Sequence, residues 1–345
     1  MRDSLFYSSF RALFVSLFAI IGICLGFMVF AILINLVSSD TSDSRLTPIY
    51  TEEILPNAKG ERSVVSSSAP VILQINITGI IGTEELDTKT VRQQLVESRE
   101  GSYKNDRVKG LLLYIDSPGG TVVDAAGIFD VIMSYKEKYK VPVYAFVDGL
   151  CASGGMYVAL AADKVFASDV SLIGSVGVIA PSFINVAKLL EKIGVDTLTI
   201  SAGKDKDAMN PLRPWKNGEQ DNYVDIINYY YNDFVKLVTT HRPTLTLEKL
   251  TKDYGARIFP AAIALQHGYI DVSGADIHTT LTELLKHVGI ADDNYQFIRL
   301  ESKAWWKGLI GAESPLFTGK VKHELSLSPA MDLLMQNKFL YLYHP

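Results

Sequence analysis

The chain has 345 residues and a formal net charge of −5, and 48% of its residues are hydrophobic and 21% charged. This composition is typical of a globular protein with a sizeable core and excludes an intrinsically disordered chain. The acidic net charge, without a basic stripe interleaved with aromatic residues, argues against nucleic-acid binding, so no nucleic-acid partner is expected.

An uncharged and mainly apolar segment occupies residues 12–39. As a helix its 28 residues would extend about 42 Å, whereas the hydrocarbon core of a bilayer is about 30 Å thick. The segment is longer than the apolar region of a cleaved signal peptide, and Val37-Ser38-Ser39 matches a cleavage site poorly. We therefore predict a transmembrane signal anchor at 12–39, with a removed signal peptide as the alternative. Because Arg2 and Arg11 precede the segment, residues 1–11 are predicted to be cytoplasmic.

Residues 40–69 are rich in Ser, Thr, Asp, Glu and Pro, which predicts a linker. From residue 70 onward, short apolar runs alternate with amphipathic segments, which predicts an α/β domain over residues 70–290 with a largely parallel, helix-covered sheet. The sequence assigns no role to the C-terminal extension, residues 291–345. Strands are predicted at Val71–Ile77, Val108–Ile115, Val141–Val147, Val165–Ala167, Ile173–Ile179 and Thr197–Ile200, and helices at residues 84–99, 125–133, 156–162, 184–193 and 223–238.

The segment Gly149–Gly155 places Ser153 between a predicted strand and the helix that follows it. At a helix N-terminus, unpaired backbone N–H groups and the helix dipole favour a developing negative charge, as the reaction of a nucleophilic serine requires. Serine is also a preferred helix cap, so the segment by itself leaves a purely structural role open. Cys151 is a second candidate nucleophile, which we predict instead to be a small buried packing residue.

A nucleophilic serine also needs a base within hydrogen-bond reach. The six histidines all lie at or beyond His241, and none stands in a glycine-rich turn after a strand, so the sequence does not favour histidine. A lysine can serve as the base when burial and neighbouring groups lower its pKa from about 10.4. Lys204 and Lys206, the two candidates, lie in one loop, residues 201–211. The alternative interpretation of this loop is a solvated turn of alternating charge without a catalytic role.

Donors for an oxyanion are predicted at a second glycine-rich strand end, Asp116–Gly120. Gly119 and Gly120 allow their backbone N–H groups to approach a ligand closely, although a plain strand-to-helix turn also uses this sequence. Gly154 directly follows Ser153. Both strand ends would lie at the carboxyl edge of one sheet, where α/β domains bind ligands.

Together these segments resemble the signal peptide peptidase A family (peptidase family S49), in its short, membrane-anchored form with a single catalytic domain. The resemblance covers residues 70–290 and implies the crotonase-like fold shared with the Clp protease. It is carried by four segments: Ile115–Gly120, similar to the family's oxyanion loop but with Asp116 where Asn is common; Asp148–Tyr157, similar to its nucleophile motif; Gly174–Val178; and Arg257–Asp271.

The resemblance implies a Ser-Lys dyad. Ser153 corresponds to the nucleophile, and Lys206, which follows Gly203 by three positions, corresponds to the base, with Lys204 as the alternative. Ser175 corresponds to the serine that orients the lysine. The backbone N–H groups that hold the oxyanion would come from Gly119, Gly120 and Gly154.

The implied activity is that of a serine endopeptidase that cleaves remnant signal peptides or other extended peptides near the membrane, without a metal or organic cofactor. The implied location is the bacterial inner membrane, with the catalytic domain outside the cytoplasm, and a homo-oligomer is expected. Two other interpretations are a crotonase-type acyl-CoA enzyme, which would hold a thioester enolate with the same backbone N–H groups, and a non-catalytic membrane scaffold.

Overall fold

The computed structural model describes residues 13–23, 25–27, 30, 50–291, 293–302 and 340–342. The chain divides into two compact units, Met1–Thr47 and Pro48–Pro345. The described residues of the first unit are helical and exposed. The rest of the predicted anchor, 12–39, lies outside the described residues, and none of the helices in the described ranges is both long enough and apolar enough to cross a membrane.

The described residues of the second unit form a ten-stranded sheet. Its main order is β1-β9-β2-β3-β4-β5-β8, with β10 added to β3 and β6 linking β4 to β7. The pairs β1–β9, β3–β10 and β6–β7 are antiparallel and the others are parallel. The strands are β1 (Tyr50–Ile54), β2 (Val71–Ile81), β3 (Val108–Thr121), β4 (Val143–Ala152), β5 (Lys164–Ala167), β6 (Leu172–Gly174), β7 (Ile258–Pro260), β8 (Val272–Ser273), β9 (Gln296–Ser302) and β10 (Leu340–Leu342).

Seven α-helices connect these strands in the described part of the second unit, together with a 3-10 turn at Gly101–Tyr103 and a π-helical turn at Lys249–Tyr254. The helix after β3 begins where the Thr121 hydroxyl accepts a hydrogen bond from the Asp124 N–H at 3.1 Å, as an N-cap does. The helices are α1 (Thr88–Glu97), α2 (Val122–Tyr139), α3 (Gly154–Ala159), α4 (Ala187–Lys192), α5 (Asp221–His241), α6 (Ala261–His267) and α7 (Ile277–His287).

Helices cover both faces of the sheet. Side chains alternate along β3, so Leu111 and Leu113 join the core formed with α1, α2, α3 and α5, whereas Leu112 joins a separate core that includes Leu281 and Leu284 of α7. All of these side chains are buried. The structure therefore confirms an α/β domain with a largely parallel, helix-covered sheet.

Two predicted strands are absent or shortened in the structure. The strand predicted at Thr197–Ile200 is wrong, because these residues are irregular and Leu198 and Ile200 are 85% and 87% exposed. The strand predicted at Ile173–Ile179 is reduced to β6, which ends at Gly174. Gly174 has φ of +134° and Ser175 has φ of +55°, so the chain leaves the extended conformation there.

The sheet extends beyond the predicted domain, residues 70–290. The segment predicted as a linker, 40–69, contains β1, and the predicted extension, 291–345, contains β9 and β10. β1 was not predicted because its sequence is charged rather than apolar. In the fold, its Glu53 accepts hydrogen bonds from Arg299 across the β1–β9 pair. β9 in turn lies parallel to the first residues of β2.

We expect Gly120→Ala to disrupt the end of β3. A Cβ at this position would overlap the backbone carbonyl oxygen of Ile81, which cannot move unless β2 moves as well, so we expect a loss of about 3 kcal/mol or more in unfolding free energy. Gly110→Ala, in the same strand, is the matched control. Its Cβ would meet only side-chain ends of Ile72 and Leu284, at 3.0 and 3.2 Å, so about 1 kcal/mol is expected. Urea unfolding of the two purified variants tests the difference, and equal losses would contradict it.

Candidate active site

A bend in β4 positions the candidate nucleophile. β4 pairs with β5 as far as Val147 and then with β6 from Leu150 onward. Gly149, at the bend, has φ of +126°, and a Cβ there would overlap Asp116 Oδ1. The same Asp116 oxygen accepts a hydrogen bond from the Leu150 N–H at 2.9 Å. An Asn oxygen is an acceptor too, so Asp116 preserves a contact that Asn, common at this position in the family that the sequence resembles, would also make.

Ser153 follows β4 directly and occupies the N-cap position of α3. It is only 1% exposed, and its φ of +54° and ψ of −113° form a sparsely populated conformation for a residue with a Cβ, which costs on the order of 1–3 kcal/mol. Its N–H donates to the Gly174 carbonyl at 2.9 Å and its carbonyl accepts from the Tyr157 N–H at 2.9 Å. A strained serine at a sharp strand-to-helix turn is the arrangement of a nucleophile elbow.

The glycine-rich end of β3 lies against the start of α3. Ser117 is opposite Cys151 in the β3–β4 pair, and a Cβ on Gly155 would lie 2.9 Å from the Ser117 carbonyl oxygen. Gly154 begins α3, and the first N–H groups of a helix have no acceptor within that helix. The structure thus brings Ser117, two residues before Gly119, against the start of the helix that Ser153 caps.

Ser117 is a residue that sequence reasoning missed. It is fully buried, its hydroxyl donates to the Gly79 carbonyl at 2.6 Å, and its oxygen accepts from the Gly119 N–H at 3.1 Å. A serine that accepts from the N–H two residues later forms a local turn, and Ser followed by Pro-Gly-Gly is a detectable signal for one. Ser117 therefore shapes the segment in which oxyanion donors were predicted.

The segment Gly174–Gly177 lines Ser153 on the other side. The Ser153 hydroxyl donates to the Gly177 carbonyl at 3.4 Å, a long hydrogen bond. Ser175 is 5% exposed, and its N–H donates to the Arg257 carbonyl at 2.8 Å. A Cβ on Gly174 would lie 2.5 Å from that same carbonyl oxygen. The Gly177 carbonyl was not predicted as a site group, although its glycine stands in the motif that carries Ser175.

The structure does not bring the predicted base to the serine within one chain. Lys206 lies in the loop at 201–211 with an exposed side chain, and its N–H donates to the Gly203 carbonyl at 3.4 Å. In the described ranges, no hydrogen bond or ion pair joins its amine to Ser153 or Ser175. Lys204, the alternative base, is also exposed, and its amine lies 3.9 Å from an Asp205 carboxylate oxygen.

The surroundings of Cys151, His241 and His267 are typical of residues that pack in the fold. Cys151 is fully buried, and burial raises the pKa of its thiol to about 12 despite a smaller opposing effect of Arg242, so it remains an unreactive thiol at neutral pH. His241 ends α5 with its ring edge-on to Phe129, and burial lowers its pKa, as do the positive charges nearby. His267 packs against aromatic rings, and burial lowers its pKa too.

The edge of β3 beside the site carries an extended segment of the chain itself. β10 lies antiparallel to the end of β3, with Leu340 opposite Thr121, Tyr341 opposite Gly120 and Leu342 opposite Gly119. The backbone of the predicted oxyanion segment is thus accessible to a strand that adds to the sheet.

Comparison with known proteins identifies similar peptidases. The sequence profile described as Peptidase family S49 matches residues 135–291, and that described as Clp protease matches residues 73–173. An Enterococcus faecium protein, provisionally named signal peptide peptidase SppA, is 29% identical over 270 residues, which are 74% of this chain and 76% of that protein. A Synechocystis sp. protein, provisionally named a protease, is 34% identical over 211 residues, which are 61% of this chain and 72% of that protein.

Among solved structures, a ClpP1 mutant from Listeria monocytogenes aligns with a TM-score of 0.41 and 18% identity, covering 60% of this chain and 94% of that one. The match to the Clp protease profile spans β2 to β6, the part of the sheet that positions Ser153. The peptidase profile begins in α2 and continues through α7. With the Synechocystis relative covered over 72% of its length at 34% identity, the chain belongs to peptidase family S49, the signal peptide peptidase A family, and has a Clp protease-like α/β fold.

Proposed function

We propose that this peptidase is a serine endopeptidase in which Ser153 is the nucleophile and Lys206 the general base. The observation that carries the proposal is the strained, buried Ser153 at the start of α3, between two glycine-rich segments. Membership of a peptidase family removes the acyl-CoA enzyme as an interpretation, and it leaves the non-catalytic scaffold for experiment to exclude.

In the proposed reaction the Ser153 oxygen attacks the scissile carbonyl while the neutral Lys206 amine takes the hydroxyl proton. The N–H of Gly154 and that of Gly119 or Gly120 hold the oxyanion, and use of the Gly119 N–H requires its release from Ser117. The C–N bond then breaks and the lysine ammonium returns its proton to the leaving amine. Water, deprotonated by the same lysine, then attacks the ester carbonyl of the acyl-enzyme, and the lysine ammonium returns that proton to the Ser153 oxygen as the ester bond breaks.

We further propose that a neighbouring copy of the chain supplies Lys206. The lysine belongs to a segment, residues 179–215, that we call the arm. Backbone hydrogen bonds join the two ends of the arm, such as that from the Val186 N–H to the Pro211 carbonyl at 2.9 Å. None of the six residues of its helix α4 is buried. An isolated helix of this length is not stable in water, so the arm needs a surface to pack on.

The apolar side chains of the arm support a second copy as that surface. Burying an exposed Leu or Ile contributes about 1.5–3 kcal/mol, so several together stabilise an assembly. Packing of the arm would also bury Lys206 and place Ser175 of the receiving copy within reach of its amine. The exposed apolar side chains include Ile184, Leu189, Ile193, Leu198, Ile200 and Leu212.

The proposed substrates are extended peptides that add to the edge of β3 at Gly119–Thr121 in place of β10. Support comes from β10, which already pairs there antiparallel over Gly119–Thr121. Strand addition binds the peptide through its backbone and places a peptide carbonyl beside the proposed oxyanion donors. It accommodates many sequences, as a peptidase for varied signal peptides requires.

We propose a single-pass protein of the bacterial inner membrane, with remnant signal peptides as substrates and the catalytic domain outside the cytoplasm. The uncharged run at 12–39 supports an anchor, since it is long enough to span the hydrocarbon core. Leu17, Phe18 and Ile20 expose their apolar side chains in the first unit. An anchored enzyme meets membrane-embedded peptides at high local concentration.

We expect Ser153→Ala to abolish both labelling by a fluorophosphonate probe and cleavage of a fluorogenic peptide, with a loss in kcat of about a thousandfold or more. Lys206→Ala should lose activity to a similar extent because the serine then lacks its base. Lys204→Ala is the matched control and should stay within about twofold of wild type. Undiminished cleavage by Ser153→Ala would overturn the mechanism, and a loss in Lys204→Ala instead of Lys206→Ala would reassign the base.

Mixing the two inactive variants tests whether Ser153 and Lys206 meet between copies. When Ser153→Ala and Lys206→Ala chains are co-expressed in equal amounts, about one quarter of the sites receive both an intact serine and an intact lysine. We therefore expect about one quarter of wild-type activity from the mixture. Zero activity in mixed assemblies, verified by two affinity tags, would place the dyad within one chain.

Ending the chain at residue 339 tests whether β10 occupies the substrate edge. Removal of β10 should lower KM for peptide substrates about two- to tenfold, because substrate no longer competes with a strand already paired to Gly119–Thr121. A chain ending at residue 342 keeps β10 and is the matched control, for which KM should be unchanged. Equal KM values for the two shortened chains would show that β10 does not compete.

A further inference from the structure

The loop that carries Lys206 contains an apparent conflict. Asp207 directly follows the proposed base, and a carboxylate close to an amine favours the charged ammonium, which cannot accept a proton. A lysine base needs the opposite surroundings. Something in the loop must therefore keep the Asp207 carboxylate from pairing with Lys206.

Arg213 and Asn210 occupy that carboxylate. Arg213 Nε donates to Asp207 Oδ2 at 2.5 Å, and Asn210 Nδ2 donates to Asp207 Oδ1 at 2.5 Å. Arg213 Nη2 also donates to the backbone carbonyl of Asp207. Both carboxylate oxygens and the carbonyl of the residue after Lys206 are thus already bound.

The same guanidinium links the loop to the residues that precede α5. Arg213 Nη1 donates to Glu219 Oε1 at 2.7 Å, and Glu219 Oε2 accepts from the Met209 N–H at 3.0 Å. Met209 has φ of +59°, so this contact holds a backbone conformation that a non-glycine residue adopts at a cost. The side chains of Arg213 and Glu219 are only 26% and 9% exposed.

The charge states at neutral pH favour this network. Hydrogen bonds from Arg213 are the main cause that lowers the pKa of both Asp207 and Glu219. Hydrogen bonds to Glu219 and then Asp207 raise the pKa of Arg213. All three groups are therefore ionised where the enzyme would work. The charged side chains of the loop and of the turn packed against it are Lys204, Asp205, Lys206 itself, Asp207, Arg213, Lys216 and Glu219.

We propose that Arg213 is a positioning residue for Lys206: it fixes the backbone that carries the lysine and withholds the Asp207 carboxylate from its amine. The inference rests on the proposed function, since it takes Lys206 as the base. Without the guanidinium, the net charge of Asp207, Glu219 and residue 213 falls from −1 to −2. The freed Asp207 would then bind the Lys206 ammonium, and the amine would release its proton only at higher pH.

The test is the pH profile of kcat/KM for the full-length chain with a fluorogenic peptide, measured from pH 6 to 10. For a reaction that needs a neutral amine, activity rises with pH along an acidic limb. In Arg213→Gln this limb should move upward by about one pH unit, which lowers kcat/KM about tenfold at neutral pH. Arg213→Lys keeps the charge but not the planar fork, so its limb should stay near wild type while kcat falls severalfold and KM changes little.

Arg299→Gln is the matched control. Arg299 is also 26% exposed and also pairs with two carboxylates, those of Glu53 and Glu301, but it lies on β9. Its pH limb and kcat should match wild type. The double variant Asp207→Asn with Arg213→Gln should return the limb to its wild-type position, because the freed carboxylate is gone.

An unmoved limb in Arg213→Gln overturns the inference, as does a loss of activity that merely follows loss of assembly in light scattering. A shift of equal size in Arg299→Gln overturns it too. Lys206→Ala, assayed in parallel, keeps the two proposals distinguishable. If Lys206→Ala is as active as wild type, the assignment of the base fails; if it is inactive while Arg213→Gln behaves as wild type, only the role of Arg213 fails.

Discussion

The backbone at Ser153 is the constraint on which the site depends. A serine with φ of +54° persists only where its neighbours over-determine the conformation, and here the Gly174 carbonyl holds its N–H while the Tyr157 N–H holds its carbonyl. These contacts come from two directions, β6 and α3. The serine is therefore fixed by the folded sheet before any substrate arrives, and the strain is balanced by the stability of the domain.

Close approach of backbones supplies the rest of that constraint. Gly155 brings α3 against the Ser117 carbonyl, and Gly174 brings β6 against the Arg257 carbonyl. At each of these positions a side chain would separate two elements that the site needs in contact. The glycines around Ser153 are thus required for packing as well as for turns. Close backbone approach explains both why glycine occurs in these motifs and how β3, β6 and α3 come together.

The sequence predicted the features that depend on local physics. Ser153 at a helix start follows from a glycine-rich turn between an apolar run and an amphipathic one. The strand β1 could not be predicted in this way, because Glu53 is satisfied by Arg299, a residue almost 250 positions later in the chain. The error at Thr197–Ile200 has a related cause. Alternating Leu198 and Ile200 are typical of a half-buried strand, yet the described part of the chain provides no surface that buries them.

The same distinction separates the two halves of the proposed dyad. Ser153 lies in a core that one chain completes, whereas Lys206 lies on an arm that leaves many apolar side chains exposed in that chain. In the proposed dyad, folding of one chain would position the nucleophile, whereas the base would be positioned only when the arm packs against another copy. On the proposed arrangement, an unassembled chain holds a strained serine without a base and hydrolyses nothing. Assembly would then supply the proposed base, which would account for a candidate base on an arm that a single chain leaves largely exposed.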